Sequence, residues 1–377
     1  MPGLLPDVDP DGLLEFSVVF TDRSLNHMSN RFQQVMNDIS ATLKSVYNAA
    51  AVAVVPGGGT FGMEAVARQF ATDQPCLVVR NGWFSYRWTQ IFDMGAIPSE
   101  HAVMKASRTA DDKLAPFAPA PVDEVCAAIA ETQPAVVFAP HVETSSGILL
   151  PDDYLEAVAK ATHEAGGLFV LDCIASGAIW VDMEALGVDV VISAPQKGWS
   201  ASPCSALVML SDRALEQMEQ TTSSSFAADL KKWLTIMQAY EGGGHAYHAT
   251  MPTDSLTQFR DTMLESGQVG FDTLRDRQHE LGRKVRALLA DRGYRSVAAP
   301  GFEAPGVVVC YTDDANIQTG KAFAAEGLQI AAGVPLQCDE GEDYQSFRLG
   351  LFGLEKLGHV DRTVDALAEA LDRITTA

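Results

Sequence analysis

The chain has no surplus of positive charge to offer a polyanion. Its 27 lysines and arginines stand against 49 aspartates and glutamates, a formal net charge of −22 at pH 7, and the acids are scattered instead of gathered in a tail. Such a field repels nucleic acid and anionic membrane, so neither is expected as a partner. No apolar run approaches the length of a membrane span, and residues 1–10 carry neither the basic region nor the apolar stretch of a secretory signal. There is no CxxC pair. Cys76, Cys126, Cys173, Cys204, Cys310 and Cys338 are widely dispersed, without histidines at ligand spacing, which argues against structural zinc and for small apolar fillers in a reducing cytoplasm. Internal repeats and low-complexity linkers are absent as well. An anionic ligand would therefore have to be held by local donors, such as a helix N-terminus or one arginine, against the overall field.

What is present is the composition of a soluble globular protein of about two domains: 377 residues, 47% hydrophobic and 20% charged. Short β-branched runs at 52–55, 76–79, 135–139, 168–171, 188–192 and 206–210 alternate with segments of helical period at 60–70, 121–132 and 151–165. That alternation predicts an α/β protein with a mainly parallel sheet. After about residue 255 the texture changes. A long charged amphipathic stretch over 256–292 leads into strands at 306–311 and 346–351 and a last helix at 360–374, as in a smaller α+β unit.

Sheets of this kind place ligands beyond the carboxyl ends of their strands, and chemistry-bearing residues collect there. Lys197, in SAPQKGWS at 193–200, follows the run 188–192, and Asp172 ends the run that begins at 168. A lysine at the end of a buried strand is poorly solvated and easily deprotonated, and only the neutral amine condenses with an aldehyde. An aspartate nearby can keep a pyridine nitrogen protonated. The pair points to pyridoxal phosphate. GGGTFGME at 57–64 follows the first strand and opens a helix, so its free N–H groups and the Thr60 hydroxyl offer a phosphate cradle. Gly57, Gly59 and Gly62 also fit the dinucleotide pattern GxGxxG, but the next strand is followed by Arg80 and Asn81 where that pattern expects an acid for the ribose. Read that way, Arg80 would bind a 2′-phosphate in an NADP-dependent oxidoreductase, and Lys197 and Asp172 would have no role. NGWFSYRW at 81–88 sets aromatic faces beside an arginine, and HVETSSG at 141–147 adds polar groups after the third predicted strand.

Taken together, GGGT at 57–60, HVETSSG at 141–147, DCIAS at 172–176, Gln196-Lys197 and FRLGLFG at 347–353 resemble the class-V aminotransferases of pyridoxal-phosphate fold type I. That group includes the alanine-glyoxylate and serine-glyoxylate aminotransferases, and the resemblance runs from about Asn26 to the end. It implies a large cofactor domain over 1–265, built on a mainly parallel seven-stranded sheet, and a smaller α+β domain over 266–377. It further implies that Lys197 forms the imine with the cofactor and that Asp172 pairs with the pyridine nitrogen. Ile174 would pack on one ring face and Phe84 on the other, where relatives often carry tryptophan. Gly58, Gly59, Thr60 and Gln196 would hold the phosphate, with Thr144 near the ring hydroxyl. Arg348 would clamp the substrate α-carboxylate, a task suited to its planar fork.

SFAADLKKW at 225–233 and YHATMP at 247–252 resemble segments in which a tyrosine and a threonine of one subunit reach the other's phosphate. Tyr247 and Thr250 fit those places, which implies a homodimer with shared sites. The reaction implied moves an amino group from a small amino acid to a 2-oxo acid such as glyoxylate or pyruvate, with Lys197 as general base. Lyases and desulfurases use the same cradle. A desulfurase needs a nucleophilic cysteine, for which Cys338 is the candidate, although the adjacent Asp339 and Glu340 would raise its thiol pKa. Two segments depart from the relatives. FSVVFTDRSLNH at 16–27 replaces the usual Gly-Pro-Thr opening, and GWSASP at 198–203 stands where small residues and consecutive prolines are usual.

Overall fold

The computed structural model describes residues 13–376, and the stretch 1–10 read above for a leader lies outside them. In chain order the large unit contributes β1 (Ala51–Pro56), β2 (Pro75–Arg80), β3 (Glu100–Lys105), a short ladder of β4 (Ser107–Arg108) with β5 (Phe117–Ala118), then β6 (Val136–Pro140), β7 (Leu168–Asp172), β8 (Val190–Ser193) and β9 (Ser205–Leu210). Seven of them form one sheet in the order β1-β9-β8-β7-β6-β2-β3. Five neighbouring strands run parallel, while β9 runs antiparallel to both β8 and β1. Strands β6 to β9 are buried at every position, which is why they read as continuous apolar runs without alternation.

Helices α1 (Asn30–Tyr47), α2 (Gly59–Phe70), α3 (Trp83–Gly95), α4 (Val122–Thr132) and α5 (Asp152–Glu164) cover the sheet. The spacing predicted α2, α4 and α5 to within two residues. Strand β3, with sequence EHAVMK, escaped because it is an edge strand with no fully buried position, so neither an apolar run nor strict alternation marks it. Helix α3 was hidden by its aromatic composition, since Trp, Phe and Tyr are middling helix formers.

The stretch 256–292 is not one helix. It divides into helices Thr253–Val269 and Phe271–Asp291 at Gly270, whose φ of 95° and ψ of 128° no other residue type adopts without strain. The first of these helices buries Leu256, Phe259 and Met263 in the core of the large sheet. The second turns Leu274, Leu281, Val285 and Leu289 toward a separate core. That core also holds Phe347 and Leu349 of a three-stranded antiparallel sheet, β10 (Val307–Tyr311), β12 (Ser346–Gly350) and β11 (Ala331–Ala332) in spatial order, and is closed by Leu367 and Leu371 of the last helix, Val360–Thr376. A third apolar group joins the two units, with Phe117, Val142 and Ile148 meeting Val297, Val309 and Leu336. Among the described residues no helix is long and apolar enough to cross a membrane.

Replacing Gly270 by alanine forces a Cβ onto a positive-φ junction. The expected cost is about 1–3 kcal/mol, read as a lower urea midpoint with an unchanged m-value, because the defect is confined to the link between two formed helices.

Candidate active site

The carboxyl ends of β6, β7 and β8 open onto a cavity of ≈ 190 Å³. Gly59, Thr60, Phe84, Thr144, Asp172, Ile174, Gln196 and Lys197, scattered over nearly 140 positions of sequence, all line it. Gly58 is the N-cap residue of α2, immediately before Gly59. Two of the predicted residues, Tyr247 and Thr250, do not line this cavity. Their hydroxyls lie 3.2 Å apart at an exposed position. Arg348 is also outside the lining, on β12, but its guanidinium carbon is 5.6 Å from the centroid of the Phe84 ring, which is part of it.

Local geometry explains why these residues converge. A Cβ on Gly59 would lie 2.4 Å from Ile174 Cδ1, so glycine lets the start of α2 approach the loop after β7. The first N–H groups of a helix have no partner within it, and Gly59 and Thr60, the first two residues of α2, line the cavity. Asp172 ends β7, and its Oδ1 accepts the Ile174 N–H at 2.9 Å. Burial pushes its carboxyl up to about 7. The Ile174 N–H opposes that rise, nearby Glu143 adds to it, and Arg87 and Lys197 oppose it. Burial lowers the Lys197 ammonium, the positive charge of Arg348 lowers it further, and Asp172 pulls the other way. The Lys197 Nζ sits 5.3 Å from the Phe352 ring centroid. A poorly solvated amine thus shares the cavity with a carboxyl poised near neutrality.

Two residues given no role by the sequence, the arginine beside the aromatics of 81–88 and the glutamate of 141–147, complete the site. Arg87, three residues after Phe84 on α3, donates to Thr60 Oγ1 at 2.9 Å and lies 5.2 Å from the Phe84 ring centroid. It supplies positive charge at the glycine turn. Glu143 is fully buried, and its carboxylate accepts from Phe84 N (3.1 Å), Ser85 N (2.9 Å), Ser85 Oγ (2.7 Å), Ser145 N (3.1 Å) and Ser145 Oγ (2.7 Å). An anion at a helix N-terminus is favoured by the orphan donors and the dipole there. This one ties the start of α3, and so Phe84, to the loop that carries Thr144. The signal for both was a single charge within motifs that follow buried strands, the arginine of 81–88 and the glutamate of 141–147.

His141 is structural in this geometry. It is 2% exposed, its Nδ1 shares a 2.7 Å hydrogen bond with Ser176 Oγ, and burial pushes it down to about 4. Cys338 is buried, and burial first, then Glu143 and Glu340, push its thiol up to about 12, which leaves almost no thiolate for a desulfurase-type attack. Arg80 stacks on the Tyr86 ring at 4.7 Å and does not line the cavity of Gly59 and Thr60, so the oxyanion ligand that an NADP reading requires is not brought to the glycine turn.

The arrangement fits pyridoxal phosphate. An amine and a carboxyl line one cavity, Phe84 and Ile174 offer apolar surfaces to a flat ring, and a helix N-terminus with Arg87 offers an anion cradle. The buried Gln196 side-chain oxygen has no partner within the chain. The fold and cavity are those of a fold type I pyridoxal-phosphate enzyme.

Comparison with known proteins agrees. The family model described as aminotransferase class-V matches residues 15–338. The rat alanine–glyoxylate aminotransferase is 26% identical over 361 residues, covering 93% of this chain and 82% of its own length. A 2-aminoethylphosphonate–pyruvate transaminase of Vibrio vulnificus is 27% identical, covering 84% and 83%. Among solved structures, an alanine–glyoxylate aminotransferase from Nostoc sp. superposes with a TM-score of 0.75 at 24% identity, over 92% of this chain and 88% of that one. The chain belongs to the class-V aminotransferase family and is a pyridoxal-phosphate-dependent aminotransferase.

The site makes a statement about acid stability. His141 stays neutral in the fold down to about 4 while an unfolded histidine protonates near 6.5, so its contribution falls as pH drops through that interval. Asp172 does the reverse. The folded form holds its proton up to about 7 and the unfolded form releases it near 3.8, so acidification over that range favours the fold. The two slopes oppose each other in the apoprotein. Asp172→Asn removes one of them, and its apoprotein is expected to lose melting temperature more steeply than wild type between pH 6.5 and 4.

Proposed function

We propose that Lys197 both carries the cofactor and acts as the general base of transamination, with Asp172 as partner of the ring nitrogen and Arg348 as clamp for the substrate carboxylate. The observation that carries this reading is the meeting of Lys197, Asp172, Phe84, Ile174, Thr60 and Gln196 in one cavity at the sheet's carboxyl edge. When bound, pyridoxal phosphate supplies an electron-withdrawing ring that acidifies the hydrogen on a substrate's α-carbon. Lys197, its ammonium depressed by burial and by Arg348, would take that proton on Nζ as general base. Asp172, buried and protected from water, would keep the ring nitrogen protonated. Gly58, Gly59, Thr60, Gln196 and Arg87 would hold the phosphate, Thr144 would serve the ring hydroxyl, and Glu143, which accepts the Phe84 N–H, would hold Phe84 in place to pack against the ring.

The substrates in this reading are a small amino acid and a 2-oxo acid such as glyoxylate or pyruvate, which the names of the rat and Vibrio relatives support. The working unit is a homodimer. Tyr247 and Thr250 present paired hydroxyls at the surface, beside His248, whose ring lies 4.8 Å from that of the exposed Phe226. Such apolar exposure suits coverage by a second copy, whose cavity those hydroxyls would complete. Residence in the cytoplasm is supported by the six cysteines, all of them free. A lyase or desulfurase reading has less support, since its nucleophile would be the buried, protonated Cys338.

Borohydride reduction of the purified holoenzyme, followed by digestion and mass spectrometry, should find the pyridoxyl label on the peptide spanning Gln196 to Trp199. A label elsewhere refutes the assignment, and Lys197→Ala should take no label while keeping its melting transition. Arg348→Ala is expected to raise KM for carboxylate substrates by tenfold or more. Capture of pyridoxal phosphate by its apoprotein should need a higher pH, because losing a positive neighbour raises the Lys197 ammonium. An unmoved pH midpoint with an unmoved KM would remove Arg348 from the site.

A further inference from the structure

Arg80 ends β2 and is 8% exposed. Its guanidinium donates to Thr89 Oγ1 at 2.9 Å, reaches Gln337 O at 3.4 Å, and leaves Nε buried without a partner. Both acceptors are neutral; Asp339 and Asp93 act on the guanidinium only from beyond ion-pair distance. A permanently charged group buried with only neutral hydrogen-bond partners is costly unless an anion completes it.

Arg80 forms the inner wall of a cleft of ≈ 510 Å³ between the ends of β2 and β3 and the loop at 333–346. The facing loop is a built wall. The Glu340 carboxylate accepts the Leu336, Gln337 and Cys338 N–H groups at 2.6, 3.1 and 2.8 Å. Gln337 and Asp339 hold φ of 62° and 59°, a left-handed conformation that non-glycine residues keep only when the surroundings impose it. The acids of the cleft are otherwise engaged or peripheral: Glu340 is taken up by those N–H groups, Lys105 holds both oxygens of Asp339 at 2.9 Å, and Glu342 is exposed at the rim. Tyr344 Oη and Ser346 Oγ are buried, line the same cleft and have no partner beyond each other. Ser346 and Arg348 are two residues apart on β12 and so share a face, roughly 7 Å from one another. Arg348 Nε donates to Ala332 O, next to Gly333 of the cleft.

We propose that this cleft receives the distal carboxylate of a dicarboxylic amino acid or 2-oxo acid, with Arg80 as its counter-ion and the Tyr344 and Ser346 hydroxyls as donors. The proposal rests on the reading of Arg348 as the clamp for the α-carboxylate. Donor and acceptor pass through one transaminase site in turn, so the cleft extends the substrate range to a dicarboxylic partner for a small oxo acid. A singly charged carboxylate suits it better than a doubly charged phosphonate, because Lys105 is taken up by Asp339, which leaves Arg80 to balance a single negative charge.

The test uses the holoenzyme with glutamate, aspartate and alanine as donors to glyoxylate. Wild type is expected to favour a dicarboxylic donor in kcat/KM, and Arg80→Met to lower that ratio by about thirtyfold or more. Because Arg80 is buried, Tyr344→Phe and Ser346→Ala accompany it; each should lower the same ratio several-fold without moving the melting temperature. Glutarate, which has no amino or oxo group, should raise the melting temperature of wild type, do so less in Arg80→Met, and compete with the dicarboxylic donor. An enzyme that turns over alanine but shows no dicarboxylate preference that these variants alter overturns the inference and spares the aminotransferase reading. Glutarate binding that depends on Arg80 without competing with the donor marks a free-anion site and overturns the substrate assignment. Absence of turnover with every donor strikes the broader reading instead, and there a failure of Arg80 to govern glutarate binding sinks the cleft by itself.

Discussion

The structure depends on keeping an amine and a carboxyl close together where water is scarce. Lys197 and Asp172 follow or end strands whose every residue is buried, so both side chains start from a low-dielectric floor and neither ionises as it would in water. Desolvation is the first cause of both shifts. The parallel sheet supplies this at its carboxyl edge, where the ends of the buried β7 and β8 give way to the loops that carry the site. Around that pair the remaining groups have secondary tasks of holding rings, anchoring phosphate or orienting a helix.

Much of the site was legible because each of its pieces directly follows an apolar run. Strand ends are visible in sequence as the point where valine and isoleucine stop, and Asp172, Lys197 and the glycine turn all stand at such points. The residues that escaped act through relations that one-dimensional spacing does not carry. Glu143 matters because two segments nearly sixty residues apart converge on its carboxylate, and Arg87 because a helix not foreseen by composition turns it toward Thr60. The fold followed the same division. Buried strands announced themselves, the edge strand β1 included, whereas EHAVMK and the aromatic α3 did not, since one has no fully buried position and the other lacks strong helix formers. The break at Gly270 was passed over because Gly267 and Gly282 of the same stretch sit inside helices, so glycine alone does not mark where the helix ends.

Positive and negative charge are distributed unevenly in purpose as well as in number. Against a net charge of −22, the chain places Arg87, Arg348 and Arg80 near the carboxyl ends of its strands, each beside an aromatic ring. Guanidinium is suited to this because it is weakly hydrated and stacks on aromatic faces, so it survives partial burial where an ammonium would lose its proton. The same physics that makes Lys197 a usable base makes arginine the durable anion holder around it.

The apolar seam in which Phe117, Val142 and Ile148 interlock with Val297, Val309 and Leu336 has a bearing on how the molecule comes apart. Neither half can melt without baring side chains that the other half shields. Heat or denaturant should therefore take both through a single cooperative transition, and hydrogen exchange in the small antiparallel sheet should be as slow as in the large one.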